Sequence, residues 1–204
     1  MPIFSKDNIK VLFIHIPKAG GSTIESIFLK SGYSMSYHDH GKKMENSLNS
    51  IRKCSPQHMH RDLINEIFVE ESFNLIFTVI RNPINRFKSE AAFRFKDKES
   101  IKEEEIFKWT KRTLNKVYQR DNYIYDNHIR PQHEFVMKSS KVFRLEDGID
   151  NILRELNSKY DLSLNLNSIK KRLDSSDFKI GNSSNIPLSD ECMKLIIDFY
   201  KDDF

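Results

Sequence analysis

Two short runs of unbroken hydrophobicity stand out along the chain. Val11-Leu12-Phe13-Ile14-His15-Ile16 and Leu75-Ile76-Phe77-Thr78-Val79-Ile80 are apolar and rich in β-branched residues, without the alternation of a strand that has one wet face. Such runs predict strands buried on both sides, as in a parallel sheet. Lys141-Val142-Phe143-Arg144-Leu145 is a third, shorter candidate. A helical pattern follows each: Ser22–Lys30 after the first, and a segment opened by Pro83 at a natural N1 position after the second. The third is followed by Asp147–Tyr160, with Ile149, Ile152, Leu153 and Leu156 at helical spacing. This alternation predicts an α/β fold, a central parallel sheet flanked by helices.

Between these elements, residues 30–61 read as polar loop, and a long charged helix is expected from about Ser100 to Arg120. The Lys-Glu-Glu-Glu run of that helix suits a solvated first turn. Near the end, Met193, Ile196, Ile197 and Tyr200 recur at i, i+3, i+4 and i+7, which predicts a packed helix capped by Ser189. No repeat, low-complexity tract or linker interrupts the chain, so 1–204 reads as a single domain. At 38% hydrophobic and 30% charged, with 33 Lys+Arg against 29 Asp+Glu, the composition is that of a soluble globular protein. A net charge of +4 does not call for nucleic acid and fits a small anionic ligand equally well. Two cysteines, Cys54 and Cys192, are too few for a disulfide framework and point to a reducing compartment. The first residues lack a basic stretch followed by an apolar run, and no apolar stretch approaches the roughly 18 residues of a membrane span. A cytoplasmic location is therefore expected.

The strongest chemical signal is His15-Ile16-Pro17-Lys18-Ala19-Gly20-Gly21-Ser22-Thr23, which leaves the first strand and opens a helix. Two glycines let the backbone turn tightly and approach a ligand, and a helix N-terminus attracts anions. Lys18 adds positive charge; Ser22 and Thr23 add hydroxyl donors. An ordinary Gly-Gly turn with a serine cap is the plain alternative. A nucleotide P-loop would place the lysine after the glycines, whereas here it precedes them. A second signal is Arg81-Asn82-Pro83, where a strand ends in arginine and a helix begins. In that helix Ile84, Phe87, Ala91 and Phe95 share one face, leaving Arg86, Ser89 and Phe93 on the other. Arg81 and Ser89 can converge on one phosphate; in isolation Arg-Asn-Pro would read as a polar turn.

The first string resembles the 5′-phosphosulfate loop of sulfotransferases that use 3′-phosphoadenosine 5′-phosphosulfate (PAPS). It is most similar to the carbohydrate branch with heparan-sulfate 2-O-sulfotransferase and the chondroitin and dermatan enzymes, which usually reads I-P-K-T-G-G-T-S. Here Ala19 stands in the Thr position and Ser22-Thr23 replace Thr-Ser. Arg81, seven residues and then Ser89 resembles the family's 3′-phosphate pattern, with Asn82 where Asp is common. Weaker echoes are His128-Ile129-Arg130-Pro131-Gln132, Val142-Phe143-Arg144-Leu145-Glu146, and Lys179-Ile180-Gly181-Asn182-Ser183-Ser184. The resemblance implies a P-loop-like sulfotransferase fold and PAPS as donor. It also implies a saccharide or glycan acceptor, with 3′-phosphoadenosine 5′-phosphate (PAP) released by in-line displacement. It implies that Lys18, Ala19, Gly20, Gly21, Ser22, Thr23, Arg81, Ser89, Asn182 and Ser183 bind the cofactor, with Lys18 also catalytic.

Transfer to a hydroxyl needs a proton acceptor, and histidine is matched to neutral pH. Ser55-Pro56-Gln57-His58-Met59-His60 lies between the two cofactor motifs, where the carbohydrate enzymes carry their catalytic histidine. His58 best fits the small-His-apolar pattern, His60 is second, and His128 and His133 are held in reserve. His15 is expected to point into the sheet as a core residue. A metal cluster of Cys54, His58 and His60 with His38 and His40 lacks a known ligand spacing, so no metal site is expected. Two rivals remain. A nucleotide or sugar kinase would need a Walker lysine and a Mg²⁺-binding aspartate after the second strand. A non-catalytic basic module for RNA or anionic glycan would use Arg and Lys with aromatics such as Phe93 and Trp109.

Overall fold

A computed structural model describes residues 1–39, 47, 49–166 and 178–204. In chain order it begins with β1 (Ile3–Lys6), β2 (Ile9–Ile14), α1 (Gly21–Lys30) and β3 (Ser34–Ser36). Next come α2 (Arg61–Asn65), β4 (Leu75–Ile80), α3 (Pro83–Arg94) and α4 (Glu103–Arg112). The last elements are α5 (Tyr118–Arg120), β5 (Lys141–Arg144), α6 (Ile149–Tyr160) and α7 (Asp190–Phe199). They divide into two compact units: Met1–Ile80 with Glu134–Arg172, and Arg81–His133 with Leu173–Phe204.

The first unit holds one sheet in the order β3-β1-β2-β4-β5. Its centre is parallel as expected: β2 runs alongside β4, with Phe13 opposite Phe77, and β4 alongside β5. The unforeseen part is the edge, where β1 pairs antiparallel with both β2 and β3, so the sheet is mixed. Lys6 pairs with Ile9 across the two-residue turn Asp7-Asn8, and Asp7 takes φ 51. Left-handed residues are what such tight hairpins require. One sheet face carries Phe4, Val11, Phe13, Phe77, Val79 and Phe143 against Ile24, Ile27 and Phe28 of α1 and Ile152, Leu153 and Leu156 of α6. Those six helix positions follow the 3.6-residue period, which is why both segments bury one stripe. On β4, buried Thr78 satisfies its hydroxyl by donating to Ile14 O at 2.8 Å. The third helix starts at Ile149 rather than Asp147, because Leu145–Asp147 forms a tighter 3₁₀ turn ended by Gly148 at φ 87.

The second unit is helical. Asn82 caps α3 by accepting from Asn85 N, with Pro83 in the first turn. The charged helix begins at Glu103 and continues through a π turn at Thr113–Val117 into α5, ending at Arg120 as the pattern predicts. Ser189 caps α7 by accepting from Cys192 N. The buried stripe of α7 is Cys192 and Ile196 leading to Tyr200; Ile197 lies outside it, contrary to the sequence reading. The core joins these to Phe87, Ala91, Ile106, Leu114 and Ile129. Trp109 belongs to this packing, beside Phe87, Phe95 and Tyr125 at ring distances of 5.3, 5.6 and 6.5 Å.

Candidate active site

The loop between β2 and α1 is built from unusual backbone. Lys18 has φ 67 and Gly20 φ 85, both left-handed, with buried Ala19 between them. Gly20 needs no side chain there; Lys18 holds the same conformation against the preference of an L residue, the kind of strain found at functional loops. Ala19 N donates to Ile16 O at 3.3 Å, closing the turn before the helix. Leu145 and Ile149 press on Gly20 from the β5–α6 connection. Gly20 is the N-cap of α1 and no side chain caps that end. First-turn N–H groups and the helix dipole are thus presented by a shaped loop beside the half-buried Lys18. Ser22 is half-buried, whereas Thr23 is buried.

Four histidine and glutamate side chains gather at the base of this loop. His15 is buried, as expected, but its ring is not apolar filling: Nδ1 lies 2.5 Å from Oε1 of buried Glu25 on α1. The other carboxylate oxygen lies 3.7 Å from Nε2 of His38. Burial works to raise the Glu25 carboxyl, but hydrogen bonds and charge from His15 and then His38 outweigh it and hold the group well below the usual carboxylate range. An ionised carboxylate only accepts, so His15 Nδ1 donates. The ring of His58 stands edge-on to that of His15, with centroids 5.1 Å apart and planes at 89°. His58 ends a 3₁₀ turn, Pro56–His58. That segment is tied to the His38 strand end, since Asp39 N donates to Gln57 Oε1 at 3.0 Å and Gln57 Nε2 to Asp39 O at 3.3 Å. His58 is half-buried; His60 is 6% exposed, stands at the N-cap position of α2 without a side-chain cap bond, and lies 4.0 Å from Asp62. Among the described residues no group of three or more His, Cys, Asp and Glu could hold a metal; His40 lies outside them, and Cys54 is buried.

In the second unit, the arginine turn and the His-x-Arg-Pro-Gln stretch meet. Arg81 N donates to Gln132 Oε1 at 2.9 Å and Gln132 Nε2 donates to Arg81 O at 2.8 Å. The turn that carries Arg81 is therefore clamped by the last residue of the motif. Ser89 is half-buried two turns into α3, on the face shared with Asn82 and Asn85. Arg86, placed on the exposed face by the sequence reading, is instead 2% exposed. Its Nη2 donates to both His128 O and Arg130 O at 2.9 Å, and its guanidinium lies over Tyr200. The apolar stripe was assigned correctly at Phe87 and Ala91; buried polar partners on the same face broke the pattern. Sequence reasoning also missed Glu90, 1% exposed, which faces His128 Nδ1 at 2.6 Å and Arg94 Nε at 2.6 Å. His133 Nδ1 lies 2.9 Å from Asp203 Oδ1, so both reserve histidines have carboxylate partners of their own. Asn182 caps the short turn Ser183–Asn185, accepting from Ser184 N, and this turn packs on α3.

The sequence resemblance has an independent counterpart. A model of the sulfotransferase family matches residues 1–204. The chain belongs to the sulfotransferase family. Its mixed sheet with a parallel centre, flanked by helices, is the architecture consistent with that fold. Searches of curated proteins and of solved structures gave no match. Membership makes this sulfotransferase an enzyme of sulfuryl transfer, in a family that generally takes the group from PAPS. Among the described residues no helix is long and apolar enough to cross a membrane.

Proposed function

We propose that this sulfotransferase moves the sulfuryl group of PAPS to a hydroxyl of a saccharide acceptor, with His58 as general base. The observation that carries the reading is the β2–α1 loop. A strained lysine, a left-handed glycine and a helix start without a side-chain cap present charge and backbone N–H groups suited to a phosphosulfate. In the transfer the acceptor oxygen bonds to sulfur as the bond from sulfur to the phosphate oxygen breaks, and PAP leaves. Lys18 stabilises the negative charge that grows on that oxygen, an interaction strongest in the transition state. Ala19, Gly20 and Gly21 offer backbone, and Ser22 and Thr23 hydroxyls, to the same group. Arg81 and Ser89 hold the 3′-phosphate, and Asn182 and Ser183 close on the nucleotide, as the family pattern implies.

His58 takes the acceptor proton. Its partial exposure, next to buried His60, favours it for contact with an incoming hydroxyl. The inward packing of Trp109 weighs against a module that stacks nucleic-acid bases on that ring. The deciding experiment offers sulfur-labelled PAPS with a panel of saccharides. Label is expected on at least one glycan with wild-type enzyme and to fall about 10²–10⁴-fold with His58→Ala. Nucleotide binding without label on any saccharide would defeat the acceptor class, and full activity of His58→Ala would defeat the base.

A further inference from the structure

The backbone of Gly21 is not left-handed, so its lack of a side chain has another cause. A Cβ built there would overlap the His15 imidazole, meeting Nε2, Cδ2 and Cε1 before any other atom. Glu25 fixes that ring through Nδ1, and Phe13 stacks on it with centroids 5.7 Å apart. The edge-on contact with His58 adds a further constraint on the same ring. One imidazole therefore touches the first turn of the anion loop, the candidate base and a buried carboxylate. Carboxylate anchoring is how proteins fix which nitrogen of a histidine carries the proton and which way the ring faces.

We propose that His15, pinned by Glu25, is a positioning residue that couples the anion loop to His58. It sets how closely the start of α1 approaches the sheet and how the His58 ring is turned. The inference rests on reading the loop as the phosphosulfate site and His58 as the base. Its two halves are tested by separate measurements on the full chain.

The first is a double-substitution cycle read by calorimetric binding of PAP. Gly21→Ala alone is expected to weaken PAP about tenfold, because the methyl must displace the ring. In a His15→Ala background the same substitution should cost less than about threefold. Equal losses in the two backgrounds would overturn the coupling. The second measures the His58 ring resonances by NMR in Glu25→Gln and Glu25→Asp. They should shift in the Gln variant and return part-way in the Asp variant, since His58 sits within the ring-current range of His15. In the same Gln variant kcat should fall about 10–100-fold at saturating PAPS, with PAP affinity kept within about threefold. Unmoved His58 resonances would overturn the positioning role even if stability dropped. Full activity in His58→Ala would instead defeat the base assignment, and the binding cycle would still decide the link between His15 and the loop.

Discussion

A lysine at φ 67 is held there by its surroundings, since a left-handed backbone costs an L residue about 1–2 kcal/mol. The cost makes sense if Lys18 must aim its charge at the centre of the loop. Lys18→Gly should therefore keep the fold, or stabilise it by up to about 1 kcal/mol in urea denaturation, while turnover collapses. Lys18→Ala retains the strain and loses the charge; kcat should drop more than PAP affinity. If either variant binds PAPS far more weakly yet turns over normally at saturation, the lysine only binds. At this scale the loop was legible: Lys18, Gly20 and Gly21 announced themselves by type and spacing. What was not legible was why Gly21 is glycine, because the reason is the ring of His15 packed against it. His15 itself reads as a core histidine until its partner is seen. A signal existed, in that Glu25 sits among Ile24, Ile27 and Phe28 on the buried side of a helix, where an acid needs a partner.

Among elements, α1 is seated in part by a buried charge, through Glu25 against His15. The Glu25 carboxyl is held below its ordinary value, so between that value and lower pH the unfolded chain binds the extra proton and the native chain does not. Its contribution is then complete above about pH 4.5 and is lost as pH falls through the range below it. Denaturation midpoints measured from pH 6 down to about 2 should fall more steeply for wild type than for Glu25→Gln. Parallel curves for the two proteins would mean that Glu25 anchors nothing. The helix α3 shows a different limit of sequence reading. Its existence and its proline start were legible, but its Asn82 cap was not read and its faces were not, because Arg86 and Glu90 occupy buried positions satisfied by carbonyls and a histidine from the 128–130 stretch. Periodicity assigns charged residues to water, and only the tertiary partners reverse that. The strands β1 and β3 escaped for a simpler reason. Four and three residues long, the latter Ser-Met-Ser, they carry too little pattern and exist through pairing with β2 and with each other.

For the whole molecule, the α/β class followed from three strand–helix repeats, each of which the structure contains. The division into two compact units left no trace in composition, since one boundary falls between Ile80 and Arg81, where β4 runs on into the cap of α3. Boundaries of this kind are readable when they are exposed polar linkers, and this one between compact units is a strand end. Function at this scale is a matter of linkage: a ligand that binds only the native chain raises its stability by RT ln(1 + [L]/Kd), about 2.7 kcal/mol at a hundred times Kd. For a chain of this length that is a rise in Tm of about 5–10 °C. PAP should produce it, and ADP at the same concentration should produce clearly less, because ADP lacks the 3′-phosphate proposed for Arg81 and Ser89. Arg81→Ala removes a charged hydrogen-bond partner worth roughly 1.5–3 kcal/mol, so in that variant the PAP shift should shrink to that of ADP. The backbone clamp from Gln132 does not involve the Arg81 side chain, which leaves the turn itself in place. Equal shifts for PAP and ADP in the wild-type protein would take the 3′-phosphate away from Arg81 and Ser89, whatever the labelled-sulfur experiment finds.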